Sequence, residues 1–245
     1  MTQEMKGLLL EDRWAPVTST TGFLELGTEQ AARAFATWQE GLMTPRGITV
    51  EVLPVSGSLE QALSSLLPLT SGETQRHLFI PTRSAWTAYL ENGWTGTDAA
   101  SPMRYMARRL SIRCLRVVTV PHTLRGNQGR YGAVMLDVFG PEQPGKILNY
   151  VRSIYAANDG GRWVFGHSGE PFPFEQVEKY QARRLRDRFT FEMLKDYLHH
   201  LGLAPFNEDF YLPPGSRAWL IQKTGPFTTV GREYSLEEAR AARVL

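Results

Sequence analysis

The sequence predicts an α+β fold, a mixed β-sheet with packed helices, and three observations predict it. Strand-like and helix-like segments alternate from Thr21 to Val120. From Arg130 onward strand-like segments follow one another across turn residues, which reads as an antiparallel meander. The composition, 42% hydrophobic and 21% charged over 245 residues, is that of a globular chain able to bury a core.

In the first half, Thr21–Leu26 reads as a short strand. Thr28 then offers a helix cap, with Glu29 in the first turn. Ala31, Phe35, Trp38 and Leu42 recur at helical spacing, and Gly41 marks a stop. Ile48–Val55 alternates and is rich in β-branched residues, as a strand is. Ser58 and Gln61 form a capping box ahead of Leu59, Ala62, Leu63 and Leu66, and Pro68 ends that helix. His77–Ile80 reads as a buried strand. Ser84–Leu90, carrying Trp86, reads as one helical pass stopped by Asn92 and Gly93. Ser101 followed by Pro102 predicts a helix start, with Met103, Met106, Ala107 and Leu110 on its apolar face. Ile112–Val120 is a strand closed by Pro121. This alternation favours a partly parallel sheet.

The rhythm then changes. Arg130–Phe139 is a long strand. Leu148–Ala157 and Arg162–Phe165 flank Asn158-Asp159-Gly160-Gly161, whose residues tolerate the positive φ of a hairpin turn. After Pro171 and Pro173 the pattern turns helical. Thr190 caps a further helix with Phe191, Leu194, Leu198 and Leu201 on one face. Gly202 and Leu203 complete a Schellman stop. Arg217–Lys223 is a last strand, and Ser235 with Glu238 caps an alanine-rich tail helix. There is no internal repeat and no Gly/Ser-rich linker. One domain over 1–245 is expected, with 141–146 the best place for a subdivision.

Several function classes are disfavoured at once. A net charge of +2 does not mark a polyanion binder. The single cysteine, Cys114, excludes an intrachain disulfide and the four-cysteine or two-cysteine, two-histidine zinc sites. The first residues lack the apolar core of a signal peptide, and no stretch is long and apolar enough to span a membrane. A cytoplasmic location is expected, and no cofactor or metal is.

The chemistry-bearing patterns are weak. Gly140–Lys146 approaches a phosphate loop, but Ile147 replaces the metal-binding hydroxyl, and Pro141 and Pro144 remove two N–H groups. His199 and His200 are adjacent and point about 100° apart on a helix, so they cannot chelate together. Cys114, mid-strand among apolar residues, reads as a small buried hydrophobe. Asp98 and Glu175, with His167 as a partner in acid–base work, are the candidates for a carboxylate-based hydrolytic site. The loop Glu91–Asp98 packs two glycines, Trp94 and two carboxylates into a short stretch, against the plainer account of an Asx-type turn.

The densest charge is Arg183-Arg184-Leu185-Arg186-Asp187-Arg188. On a helix, Asp187 would pair with Arg183 or Arg184, and Glu192 with Arg188, giving an ion-paired surface. Together with Arg104–Arg113 the run offers a nucleic-acid reading, which the near-neutral charge makes the weaker one. Arginines beside Phe172, Phe174, Tyr180, Phe189 and Phe191 suit a protein interface better. The expected contact residues are Arg162, Trp163, Arg183, Arg184 and Arg188 as anchors, with Asn92, Trp94 and Asp98 as a rim.

Two stretches, TAYLENGWTGTD (Thr87–Asp98) and AANDGGRWVFGHSGEPFPFE (Ala156–Glu175), with RRLRDRF (Arg183–Phe189) behind them, resemble a family of uncharacterised bacterial proteins associated with toxin–immunity settings. The resemblance implies a single-domain, cytoplasmic binding protein that neutralises a partner. It attaches no catalytic residue. Inhibitors of nucleic-acid-cutting toxins are usually acidic and this chain is slightly basic, so the resemblance needs a different class of toxin, or none.

Overall fold

The computed structural model describes residues 6–124, 129–142, 148–229 and 231–241. The strands are β1 (Thr20–Leu24), β2 (Thr49–Val55), β3 (Leu69–Thr70), β4 (His77–Pro81), β5 (Thr87–Glu91), β6 (Cys114–Val120), β7 (Ala133–Phe139), β8 (Tyr150–Asp159), β9 (Arg162–Ser168), β10 (Ala218–Thr224) and β11 (Glu233–Tyr234). The helices are α1 (Thr28–Met43), α2 (Leu59–Ser64), α3 (Ala100–Leu110), α4 (Phe191–His200) and α5 (Leu236–Ala241).

Nine strands form one sheet in the order β2-β10-β4-β5-β1-β6-β7-β8-β9, and β3 pairs with β11 apart from it. The α+β class stands. Among the described residues every pairing between named strands is antiparallel, and the parallel strand pairs expected from the first half are reduced to a single bridge, Thr70–Gly93. The reason lies in β5. Ala88 and Leu90 face one side of the sheet, and Thr87, Tyr89 and Glu91 face the other, all buried. A strand buried on both faces shows no alternation, and its short apolar run cannot be told from a helix by periodicity. With a strand there instead of a helix, β4 returns to β5 as a hairpin. The sheet takes strands from both halves of the chain. Most of segment 141–146 lies outside the described residues.

Helices cover both sides. On one face α2, α4 and residues 8–17 pack over Phe23, Leu78, Leu90, Leu115, Leu136 and Ile154. On the other, α1 lies over β2, β10 and β4, and α3 over β1, β6 and β7. The α3 contact explains Gly22: a Cβ there would stand 2.8 Å from the Met103 sulfur. Trp38 and Tyr105 stack at 4.2 Å, closing the gap between α1 and α3.

Local signals hold where they concern caps. Ser58 and Gln61 exchange both capping-box bonds, and Ser235 and Glu238 do the same. Thr190 accepts from the Met193 N–H. Leu203 N donates to Leu198 O and Gly202 N to His199 O, the two bonds of a Schellman stop. The start of α3 differs from expectation. It begins at Ala100, and Asp98 accepts from the Ala100 N–H as an Asx turn. Segment 176–188 also departs, forming two short 3-10 turns, Val177–Gln181 and Leu185–Asp187, where a helix is predicted. Tyr180 is tied to buried groups under β8, and that anchoring overrides helical propensity.

Candidate functional site

The β8–β9 hairpin carries two of the expected contact residues. Gly160 and Gly161 adopt φ of +57° and +94°, and the Asn158 side chain accepts from the Gly161 N–H, which fixes the two-residue turn. Asp159 then pairs with Arg162, and Asn158 with Trp163. Arg162 is exposed. Trp163 is half-buried, its ring 5.6 Å from that of His122. β9 is the last strand of the sheet.

The arginine run lies beside β9. Arg188 places its guanidinium 5.6 Å above the Phe165 ring, and its Nε donates to the Ala182 carbonyl. Arg183 and Arg184 are exposed. The helical ion pairs expected for them do not form, because the segment is not a helix; only Arg186 and Asp187 approach, at 3.7 Å. Among the described residues, Arg162, Arg183 and Arg184 have no carboxylate within ion-pair distance. Leu185–Asp187 packs beside β9 and Arg188 on Phe165, so the arginine run lies next to the strand that carries Arg162 and Trp163.

Beneath them lies a buried polar network. Arg152 donates through Nε and a terminal nitrogen to the two Glu175 oxygens, at 2.9 and 2.6 Å, and both side chains are fully buried. Its other terminal nitrogen donates to the carbonyls of Ser168 and Gly169. Glu175 also accepts from the Tyr180 hydroxyl and the Phe172 N–H. Tyr180 meets Tyr197 at 3.2 Å, and Tyr197 accepts from the Gln176 N–H. Burial works against the Arg152 charge, but the bonds to Glu175 outweigh it and leave the guanidinium above its ordinary value. Burial raises the Tyr180 hydroxyl. These bonds tie the connector after β9 to β8.

This placement removes the hydrolytic site. Glu175 is a structural counter-ion, and the exposed His167 reaches it only through Arg152, at 3.3 Å. Asp98 belongs to a different region. Its N–H donates to Glu91 on β5, four strand positions from β8, roughly 19 Å at about 4.8 Å per strand. Glu91 also points to the face opposite Arg152. Asp98 and Glu175 cannot act on one substrate bond.

The rim residues are corrected in part. Asn92 is buried and its side chain is spent inside, accepting from the Arg76 N–H and donating to the Pro68 carbonyl. Trp94 stacks on Tyr234 at 4.8 Å and packs against the core. Asp98 is exposed, and its carboxylate accepts from the Ala100 N–H in an Asx turn ahead of α3. Thr95 of the same loop does meet the hairpin. It lines a cleft of about 400 Å³ with Ser19, Arg130, Tyr131, Asn158 and Asp159. The Arg130 guanidinium in that cleft is already paired with Asp12 and bonded to Ser19.

A second buried cluster escapes sequence reasoning. His77 Nδ1 and the Tyr89 hydroxyl are 3.0 Å apart, and Tyr89 donates to Glu91 at 2.9 Å. His77 Nε2 is buried without a hydrogen-bond partner among the described residues. Burial pulls the imidazole below its ordinary value, and burial with the neighbouring Glu91 drives the Tyr89 hydroxyl well up. The available signal was Tyr89 and Glu91 at alternate positions of an otherwise apolar run. The two basic runs do not share a surface: α3 sits on one face of the sheet, whereas Arg188 packs against the opposite one through Phe165. Gly140–Lys146 lies partly outside the described residues.

Among the described residues no group of three or more His, Cys, Asp or Glu is placed to hold a metal, and no helix is long and apolar enough to cross a membrane. No protein-family model, curated protein or solved structure matches the chain.

Proposed function

We propose that this chain is a non-enzymatic protein-binding protein of the inhibitor or immunity type. One observation carries the reading: exposed arginines without ion-pair partners among the described residues, and a half-buried tryptophan, lie on or beside a terminal strand whose underside is fixed by the Arg152–Glu175 network. Arginine and tryptophan are the residues that most often anchor protein interfaces, and a pre-ordered face loses little freedom on binding. The separation of Asp98 from Glu175 supports the binding reading over the competing hydrolytic one.

The test is affinity capture from cells of the source organism, using the wild-type chain and the triple variant Trp163→Ala, Arg183→Glu, Arg184→Glu. The captured protein is then expressed alone and together with the chain. One protein retained by the wild type and lost by the variant, whose toxicity the chain suppresses, is the expected result. Equal retention by both chains, or toxicity that the chain leaves unchanged, rejects the reading.

A further inference from the structure

We infer that β9 accepts an extended, acidic segment of a partner protein as an additional antiparallel strand. The inference rests on the binding reading above and specifies how the surface is used.

The register sets which backbone groups are free. In a two-residue hairpin the flanking pair, here Asp159 and Arg162, exchanges both hydrogen bonds. Alternation then turns Arg162, Val164, Gly166 and Ser168 toward β8. Trp163, Phe165 and His167 turn their N–H and C=O groups outward. β8 agrees, since Asn158 N donates the other way, to Gly132 O. Among the described residues, no backbone bond or side chain meets the outward groups of these three residues.

The two edges of the sheet differ. At the far edge, β2 carries Pro54, which has no N–H to offer, and the charged Glu51. Both are devices that discourage strand addition. β9 has no proline and no carboxylate, and reads Arg-Trp-Val-Phe-Gly-His-Ser. Such an edge is a template for a further strand.

Charge selects the occupant. Arg162 lies on β9, with the Arg183–Arg188 run beside it, and among the described residues none of Arg162, Arg183, Arg184 and Arg188 has a carboxylate within ion-pair distance. Arg162 points to the face opposite Trp163 and Phe165, so an added strand that alternates apolar and acidic residues sets its carboxylates either toward Arg162 or toward Arg188 and its neighbours. A second copy of this chain would instead set its own Arg162, Arg183 and Arg184 against the same residues, and like charges across strands are destabilising.

The test uses a short fluorescein-labelled peptide alternating Val and Glu, a Val/Lys counterpart, and a Val/Glu peptide N-methylated at alternate amides. Binding is read by anisotropy up to millimolar peptide, and hydrogen exchange of single amides is read by NMR. The Val/Glu peptide is expected to bind at least tenfold tighter than Val/Lys. It should slow exchange at Trp163, Phe165 and His167 while leaving Val164 and Gly166 as they were. N-methylation should abolish binding, and Arg183→Glu with Arg184→Glu should weaken it about tenfold. Absence of binding, equal binding of the methylated peptide, or binding without protection of the three outward amides overturns the proposal. So does a dimer of the chain alone in which those amides are already protected. Partner capture that succeeds through the same arginines while the outward amides stay unprotected would reject strand addition and keep the binding face.

Discussion

Arg152 on β8 and Glu175 on the connector after β9 form a two-pronged ion pair at 2.9 and 2.6 Å, with both side chains fully buried. The pair ties a segment without regular structure to the centre of the second half of the sheet. Removing one partner leaves an uncompensated buried charge. Arg152→Met is therefore expected to cost about 3–5 kcal/mol. Arg152→Met combined with Glu175→Leu should cost less than the sum of the two single changes, because neither charge is then stranded. Urea unfolding measures both, and a loss under about 1 kcal/mol for the single change would show that the pair is not what holds the connector.

His77 makes the fold sensitive to acid. Burial, the largest influence, pulls its imidazole below the ordinary value of 6.5, against the opposing hydrogen bond and charge of Glu91. A base whose folded pKa is lowered stabilises the fold above its unfolded value, because the unfolded chain takes up the proton first as pH falls. The melting temperature should therefore fall between about pH 7.5 and 5.5, and His77→Leu should flatten that slope. An unchanged slope in the variant would assign the acid sensitivity to other groups.

Two glycines with similar φ should respond differently to alanine. Gly169 has φ +81° and a Cβ there would fall 2.1 Å from the Val151 carbonyl oxygen. Gly202 has φ +76° and open space around it. Gly169→Ala should cost roughly 2–4 kcal/mol, conformational strain plus a backbone clash, and Gly202→Ala only about 1–2 kcal/mol from the strain. Equal losses by thermal unfolding would mean that the hairpin relaxes freely around residue 169.

Among the described residues Arg183 and Arg184 have no ion-pair partner, so reversing them should not disturb the fold. Arg183→Glu and Arg184→Glu are each expected to change stability by no more than about 0.5 kcal/mol in denaturant titrations. A larger loss would give the run a structural role and weaken its use as a binding probe.

The parts of this protein that are legible in the sequence are those governed by neighbours within a few residues. The capping boxes at Ser58 and Ser235, the Thr190 cap, the Gly202 stop and the Asn158–Gly161 turn each depend on local hydrogen bonds and on φ preferences that a side chain carries with it. The α+β class follows from the same local patterns. Of the site, the sequence alone singled out Arg162, Trp163 and the Arg183–Arg188 run, because their residue types suit contact surfaces.

What only the tertiary structure decided concerns burial and pairing between distant segments. Ser84–Leu90 lost its helix because both faces of β5 are covered, a fact set by α2 and α4 on one side and α1 and α3 on the other. Glu175 passed from a candidate acid–base residue, and Asn92 from a candidate rim contact, to internal supports, because the Arg152 guanidinium and the Arg76 backbone N–H, brought in from other parts of the chain, needed partners out of water. The free edge at β9 depends on nine strands taking one order. Strand order is fixed by the summed burial of the whole chain, and no stretch of sequence holds that sum.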